Sequence, residues 1–212
     1  MHLGERIRLT LFGTSHGPRV GALLNGVPAG IEIDSDAIEL AMASRRPGGR
    51  YASKRREPDV VEFRSGIADG KTTGEEIEIS IANKDAKSRD YSFLPAHPRP
   101  GHQDMVMHKR TNGDADLRGG GSSSARLTAA LVASAALLSP LLNRLNVVCE
   151  AHVGAIGRVE AKEMSQCPPR WENDASKEMR CRDPVAALAM VETVEQHRCL
   201  LYTSPSPRDR VQ

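Results

Sequence analysis

Residues 118–138, RGGGSSSARLTAALVASAALL, decide how this chain is put together. Three glycines and three serines run without a break into an apolar segment. That segment predicts a helix over about 124–138. It is apolar nearly all round, so it is expected to be central and covered on most sides. The apolar run 127–142 is interrupted by Thr128, Ser134, Ser139 and Pro140 and falls short of a membrane span, so a buried core helix is the better reading. A glycine-rich loop at a helix N-terminus offers unpaired N–H groups, the helix dipole and hydroxyls, which together make a phosphate cradle. The loop lacks the G-K-[ST] of a P-loop and does not present G-x-G-x-x-G after a strand. Neither an ATPase nor a Rossmann site is indicated, and one RGG is too weak a signal for RNA.

Outward from this helix the pattern is mixed. Ile7–Phe12 alternates apolar and polar and reads as a strand, as does Val20–Leu24, with a turn marked by Gly26 and Pro28. Ile31–Ile33 is a third short strand. Asp34 is suited to cap a helix over Ser35–Ala43, with Ile38, Ala41 and Met42 on one face. Glu76–Ile81 has period two and puts Ile77, Ile79 and Ile81 on one face. Residues 84–121 are polar and punctuated by Gly and Pro; a loop of that length is usually functional. Val147–Ile156 reads as another strand. Asp183-Pro184 is an N-cap followed by proline at the first helical position and opens a helix to about Gln196. There is no internal repeat. The segment Cys199–Gln212 has no periodicity and resembles translated sequencing-adapter read-through. It is set aside as a non-native tail, the alternative being a natural disordered one.

Composition narrows the classes. A chain of 212 residues predicts one or two domains. Charged residues are 26% and hydrophobic ones 39%, as in soluble globular proteins. Aromatics are only 3%, so aliphatic residues must fill the core and base stacking on aromatic rings is disfavoured. A net charge of +2 is too balanced for a general polyanion binder. The four cysteines form no C-x-x-C pair, which argues against a zinc site and for a reduced compartment. The N-terminus has no apolar signal region. The expectation is a cytoplasmic protein with no nucleic-acid partner, no membrane partner and no metal.

Three further stretches carry chemistry. Gly13-Thr14-Ser15-His16-Gly17 formally fits G-x-S-x-G, the nucleophile elbow of α/β-hydrolases. Too few residues precede Ser15 to build that fold, so the other reading is a turn that holds His16 close to a ligand. Arg45, Arg46, Arg50, Lys54, Arg55 and Arg56 lie in a stretch with no acid. Arginine forks suit phosphate and carboxylate; the alternative is a solvated basic surface. Arg99-Pro100-Gly101-His102-Gln103-Asp104 is a rigid turn that sets Arg99 and Asp104 beside His102. An arginine can bind an anion there while a histidine gives it a proton. Together these features describe two anion cradles and two loop-borne histidines. They suit a multiply anionic small substrate, a phosphorylated cofactor and proton transfer.

The order of these motifs resembles the N-terminal part of the chorismate synthase family. The matching pieces are GTSHGPRVGALLNGVPAG (13–30), RRPGGRYASKRREPD (45–59), SGIADGKTTGEEIEISIAN (65–83), DY (90–91), RPGHQD (99–104), D-LRGGGSSSARLTAA (116–130) and RCRDP (180–184). The resemblance implies an α+β fold with helices sandwiched between antiparallel β-sheets, about half of it encoded over residues 1–198, and a homotetramer in the intact family. It implies a lyase that eliminates phosphate in an anti-1,4 sense from 5-enolpyruvylshikimate 3-phosphate to give chorismate. The reaction uses reduced FMN without net redox change. Whether NADPH reduces the flavin on the protein or an external reductase does so is left open.

By motif match, His16 corresponds to the histidine that acts on the reduced flavin, and His102 to the one that protonates the leaving phosphate. Arg45, Arg46, Arg50 and Arg99 fall in the substrate region. Ser15, Ser122, Ser123, Ser124 and Arg126 fall where FMN is held. Leu127 and Thr14 stand where many members carry Glu, and the loop over 46–50 is shorter than usual. The family's later G-D-S-x-G-G and K-P-T-S-S motifs do not follow the last helix. The chain is therefore expected to be an inactive fragment, with a non-catalytic anion-binding domain on the same scaffold as the alternative.

Overall fold

The computed structural model describes residues 2–46, 50, 57–85 and 88–203. It divides into two units: the described residues of 2–46 and 57–147, and a smaller unit of Arg50 with 148–203.

The first unit is built on a five-stranded antiparallel sheet. Its strands are β1 (His2–Leu3), β2 (Arg8–Gly13), β3 (Arg19–Asn25), β4 (Val61–Phe63) and β7 (Ile77–Ala82), in the order β1-β2-β3-β7-β4. The short strands β5 (Ile67–Ala68) and β6 (Lys71–Thr72) pair separately. Register explains the core. Val20, Ala22 and Leu24 lie opposite Ile81, Ile79 and Ile77, and Leu11 lies opposite Ala22. All of them face one side and are buried, as the period-two reading of both strands requires. The opposite side carries Arg19, Glu78 and Glu62.

Two helices cover the apolar side. α1 (Ser35–Arg45) starts at Asp34, whose carboxylate accepts the Ala37 N–H at 2.9 Å, as expected of the cap. Ile38 and Met42 are its buried residues. The long helix α3 (Thr128–Arg144) packs on α1, β3 and β7. It is preceded by two 3₁₀ turns, Gly121–Ser123 and Ala125–Leu127. It buries Ala129, Ala130, Ala133, Ser134 and Leu137, a single face, so it is less enclosed than its composition suggested. It also runs on through Pro140 to Arg144. Counted from Ala125 the segment is long and apolar enough to cross a membrane by length and composition, which corrects the shorter estimate from sequence. Its buried face belongs to the core of this unit. Leu127, where the family often carries Glu, is 6% exposed in that core, a site that suits an apolar side chain.

Two expectations fail in this unit. Ile31–Ile33 forms no strand, only an isolated bridge between Glu32 and Lys71. The loop over 84–121 contains a 3₁₀ turn, Ser88–Tyr91, and a short helix α2 (Asp104–Arg110). The second unit contains the hairpin β8 (Ala155–Ile156) and β9 (Val159–Glu160) with α4 (Asp174–Met179) and α5 (Pro184–Thr203). Residues 147–154 are irregular, so the expected strand shrinks to β8. Asp183 caps α5 by accepting the Ala186 N–H at 3.1 Å, and this bond, with those from Lys162 and Val185, holds its carboxyl below the usual range against burial. α5 continues to Thr203, past the expected end and into the segment set aside as foreign. Residues 204–212 of that segment lie outside the described residues. The α+β class stands: helices layer on an antiparallel sheet.

Candidate functional site

The turn after β2 is fixed by partners distant in sequence. The Thr14 hydroxyl donates to Asp116 Oδ2 at 2.7 Å and accepts the Gly17 N–H at 2.9 Å. Asn83, just after β7, donates its amide to the carbonyls of Thr14 (3.0 Å) and Gly17 (2.8 Å). Ser15 is 2% exposed; its N–H donates to Gly121 O at 3.2 Å and its hydroxyl to Arg118 O at 3.3 Å. Its Oγ also lies 3.1 Å from His16 Nδ1. Ser15 is thus a fastener between loops. It sits between two antiparallel strands, β2 and β3, and not at a strand-to-helix elbow, which removes the hydrolase reading.

His16 packs edge-on against Tyr91, with ring centroids 4.7 Å apart. On another side lies Gly119, in the left-handed region at φ +60°. A Cβ there would fall 2.6 Å from His16 Cε1 and 2.7 Å from Ser15 Oγ. Glycine is therefore required for the loop to approach the imidazole this closely.

The RPGHQD turn closes on itself. Arg99 Nε donates to Asp104 Oδ2 at 2.7 Å and Nη2 to Oδ1 at 2.6 Å. His102 Nδ1 lies 2.6 Å from the same Oδ1. Arg99 Nη2 also donates to the carbonyls of Leu117 and Gly119, each at 2.8 Å, and the guanidinium stacks over Tyr91. Gln103 donates to Gly120 O at 3.0 Å. Arg99 holds the Asp104 carboxyl down at about 2, against the opposing effect of burial, with His102 adding to the lowering. The same bond raises the Arg99 guanidinium. Arg99, expected to hold substrate, uses Nε and Nη2 to tie the turn to the glycine loop. Within that loop burial raises the Asp116 carboxyl, but hydrogen bonds from Arg118 and Thr14 win and bring it to about 2.

A second acid organises the arginines. The Asp59 side chain is fully buried, accepting from Arg45 Nη1 at 2.5 Å and from Arg126 Nη1. Arg126 Nε donates to Asn83 Oδ1 at 2.8 Å, linking this acid to the His16 turn. Glu57 accepts the Lys84 N–H at 2.8 Å. Arg126 is thus a structural cation, and the Ser124 hydroxyl accepts its backbone N–H at 3.2 Å. Ser122 and Ser123 are exposed on the 3₁₀ turn that closes the glycine loop. Arg46 ends α1; its Nε is buried with no hydrogen-bond partner among the described residues. Arg50 pairs with Glu195 at 2.8 Å in the second unit. Pro47–Gly49, Lys54, Arg55 and Arg56 of the basic stretch lie outside the described residues.

The structure therefore brings His16, His102, Arg99, Ser15 and the glycine loop into one cluster, and it joins Arg45 and Arg126 through Asp59. Sequence reading passed over Asp59, Glu57, Asn83 and Asp116 as site builders. Glu57 and Asp59 follow the basic stretch directly, and Asp116 precedes the glycines, but nothing local marks which cation each will meet.

The family model for chorismate synthase matches residues 7–200. A chorismate synthase of Aeropyrum pernix is 45% identical over 197 residues, covering 92% of this chain and 52% of the relative. One of Porphyromonas gingivalis is 42% identical over 200 residues, covering 91% and 52%. The chain spans about half the length of these curated relatives. A crystal structure of chorismate synthase superposes with a TM-score of 0.64 at 22% identity, over 92% of this chain and 53% of that one, a likeness of fold.

Proposed function

The chain belongs to the chorismate synthase family, and from that premise we propose that it supplies part of the site of a lyase. The reaction is the anti-1,4-elimination of phosphate from 5-enolpyruvylshikimate 3-phosphate, giving chorismate. One observation carries the reading. The Arg99–Asp104 clamp ties the His102 turn to the glycine loop, and that loop packs on His16, so two histidines and a phosphate cradle share one cluster. Such a cluster suits a substrate whose leaving group is phosphate.

FMN fits what is present. Gly119 and Gly121 have positive φ, a Cβ on Gly121 would meet the Asp116 carbonyl at 2.4 Å, and two serine hydroxyls are exposed beside them. Ser122, Ser123 and the adjoining backbone would hold its phosphate, and His16 would face its ring system. When bound in reduced form, FMN supplies electron density that assists loss of phosphate with no net redox change. Ser15, Ser124 and Arg126 act one step away, by holding the loops. His102 donates a proton to the departing phosphate, and Arg45 and Arg46 offset its charge. Arg46 has the buried Nε that an anion would satisfy. Arg50 serves the second unit through Glu195. The same reading takes the working protein as a cytoplasmic homotetramer, with flavin reduced either by NADPH on the protein or by a separate reductase.

The test is a chimera in which this chain replaces the matching segment of the Aeropyrum pernix relative. Anaerobic phosphate release with reduced FMN is the readout. His16→Ala and His102→Ala are each expected to lower kcat by about 10²–10⁴-fold. A chimera that binds FMN but releases no phosphate overturns the reading. Unaltered rates in both variants would also overturn it.

A further inference from the structure

We infer that Asp104 is a positioning residue for His102: it holds the Nδ1 hydrogen in the neutral ring and in the imidazolium alike, so that Nε2 is the ring atom that meets a ligand and gives up the proton it carries in the imidazolium. The inference rests on the reading of His102 as the proton donor.

The geometry is specific. The Asp104 side chain is 1% exposed and that of His102 is 24% exposed. Asp104 receives four donors. Oδ2 takes the Arg99 N–H (2.9 Å) and Nε (2.7 Å), and Oδ1 takes Arg99 Nη2 (2.6 Å) and His102 Nδ1 (2.6 Å). Arg99 is itself anchored by the carbonyls of Leu117 and Gly119, so the acid cannot swing away. An ionised carboxylate only accepts hydrogen bonds. The ring nitrogen that faces it must therefore carry the hydrogen. The turn makes this possible: Gly101, at φ +68°, reverses the chain so that residues 99, 102 and 104 converge. Arg99 thus has two effects. It keeps Asp104 charged, and it leaves only Oδ1 facing the imidazole. A carboxylate that orients a histidine in this way sets the tautomer used in proton transfer.

Asparagine at this position makes a sharp prediction. Arg99 only donates, so the amide oxygen of Asp104→Asn must turn toward it. The amide NH₂ then faces His102 Nδ1, which has to accept. The imidazole proton moves to Nε2. A carboxylate that merely anchored Arg99 would leave the tautomer unaffected.

The experiment uses the purified chain with ¹⁵N-labelled histidine and long-range ¹H–¹⁵N correlation, His102 being assigned by His102→Gln. The neutral ring is expected to carry its proton on Nδ1 in the parent chain and on Nε2 in Asp104→Asn. A parent ring protonated on Nε2 overturns the inference without any variant. So does an Asp104→Asn ring that keeps the parent pattern. In the chimera described above, Asp104→Asn is expected to lower kcat about 10²-fold or more with little change in KM. If the parent chimera turns over and Asp104→Asn is as fast, positioning fails while the functional reading stands. If the parent chimera is inert but the tautomers behave as stated, the functional reading fails and positioning stands.

Discussion

Asp59 and Asp104 are the two most buried carboxylates described in the first unit, each 1% exposed, and each is gripped by two partners. Asp59 lies between Arg45 and Arg126; Asp104 lies between Arg99 and His102. The difference is in what the partners can do. Arginine keeps its charge throughout, so the Asp59 cluster is fixed. An imidazole nitrogen can either donate or accept, so the Asp104 carboxylate selects which ring nitrogen of His102 carries a hydrogen. Similar electrostatics hold two arginines in one place, and an arginine and a histidine in the other. Asn83 links the Asp59 cluster to the His16 turn, holding Arg126 with its oxygen and the turn with its amide nitrogen.

Removing one cation from the static cluster is the strongest way to break this comparison. Arg126→Ala leaves Asp59 buried beside a single guanidinium. A loss of about 3–5 kcal/mol is expected, read by urea denaturation. A loss within experimental error would mean that Asp59 is not a structural centre.

Acid should act on the other cluster next. Asp104 and Asp116 both have folded-state pKa values held at about 2, below the unfolded range. A depressed carboxyl contributes stability that is fully present above its unfolded pKa and is lost as pH falls through the folded one. Stability should therefore decline from about pH 4 to about pH 2, by on the order of 2 kcal/mol per group. Asp116→Asn should flatten part of that limb, and an unchanged acid limb in this variant would sink the assignment.

Gly119→Ala sharpens the comparison on the histidine side alone. The new Cβ meets His16 at 2.6 Å and the residue must keep φ near +60°. About 1–3 kcal/mol is expected, with the His16 and Tyr91 resonances displaced while those of Ile77 and Ile79 hold still. Thr14→Val should act most gently. It removes the donor to Asp116 and the acceptor for Gly17 N–H, for about 1–2 kcal/mol in thermal melts.

The strands were legible where one face alternates. β2, β3 and β7 appear within a residue or two of their expected bounds, because Val20, Ile77, Ile79 and Ile81 repeat with the pleat. The caps at Asp34 and Asp183 were legible because a cap is a contact over three residues. α2 was missed inside a polar stretch, although Asp104 in its first turn and His108, Lys109 and Arg110 in its last complement a helix dipole. Ile31–Ile33 was over-read: three residues have the composition of a strand, and they do bond to residues 70–72, but the pairing amounts to one isolated bridge at Glu32. The candidate site residues were named as motifs, and the structure adds bonds that no motif shows. Arg99 and Arg126 read as ligand-binding cations, and the structure commits their guanidinium groups to carboxylates.

The amino-acid sequence alone determined the periodic and local features: which strand faces are apolar, where helices begin, and where glycine permits a close approach. These depend on neighbours a few residues apart, so their signals lie side by side in the chain. Only the tertiary structure decided which cation meets which acid. Asp59 and Arg126 are 67 residues apart, and Thr14 and Asp116 are 102. Charge has no period and no reach written into the sequence, so folding must bring those groups together before their chemistry is defined.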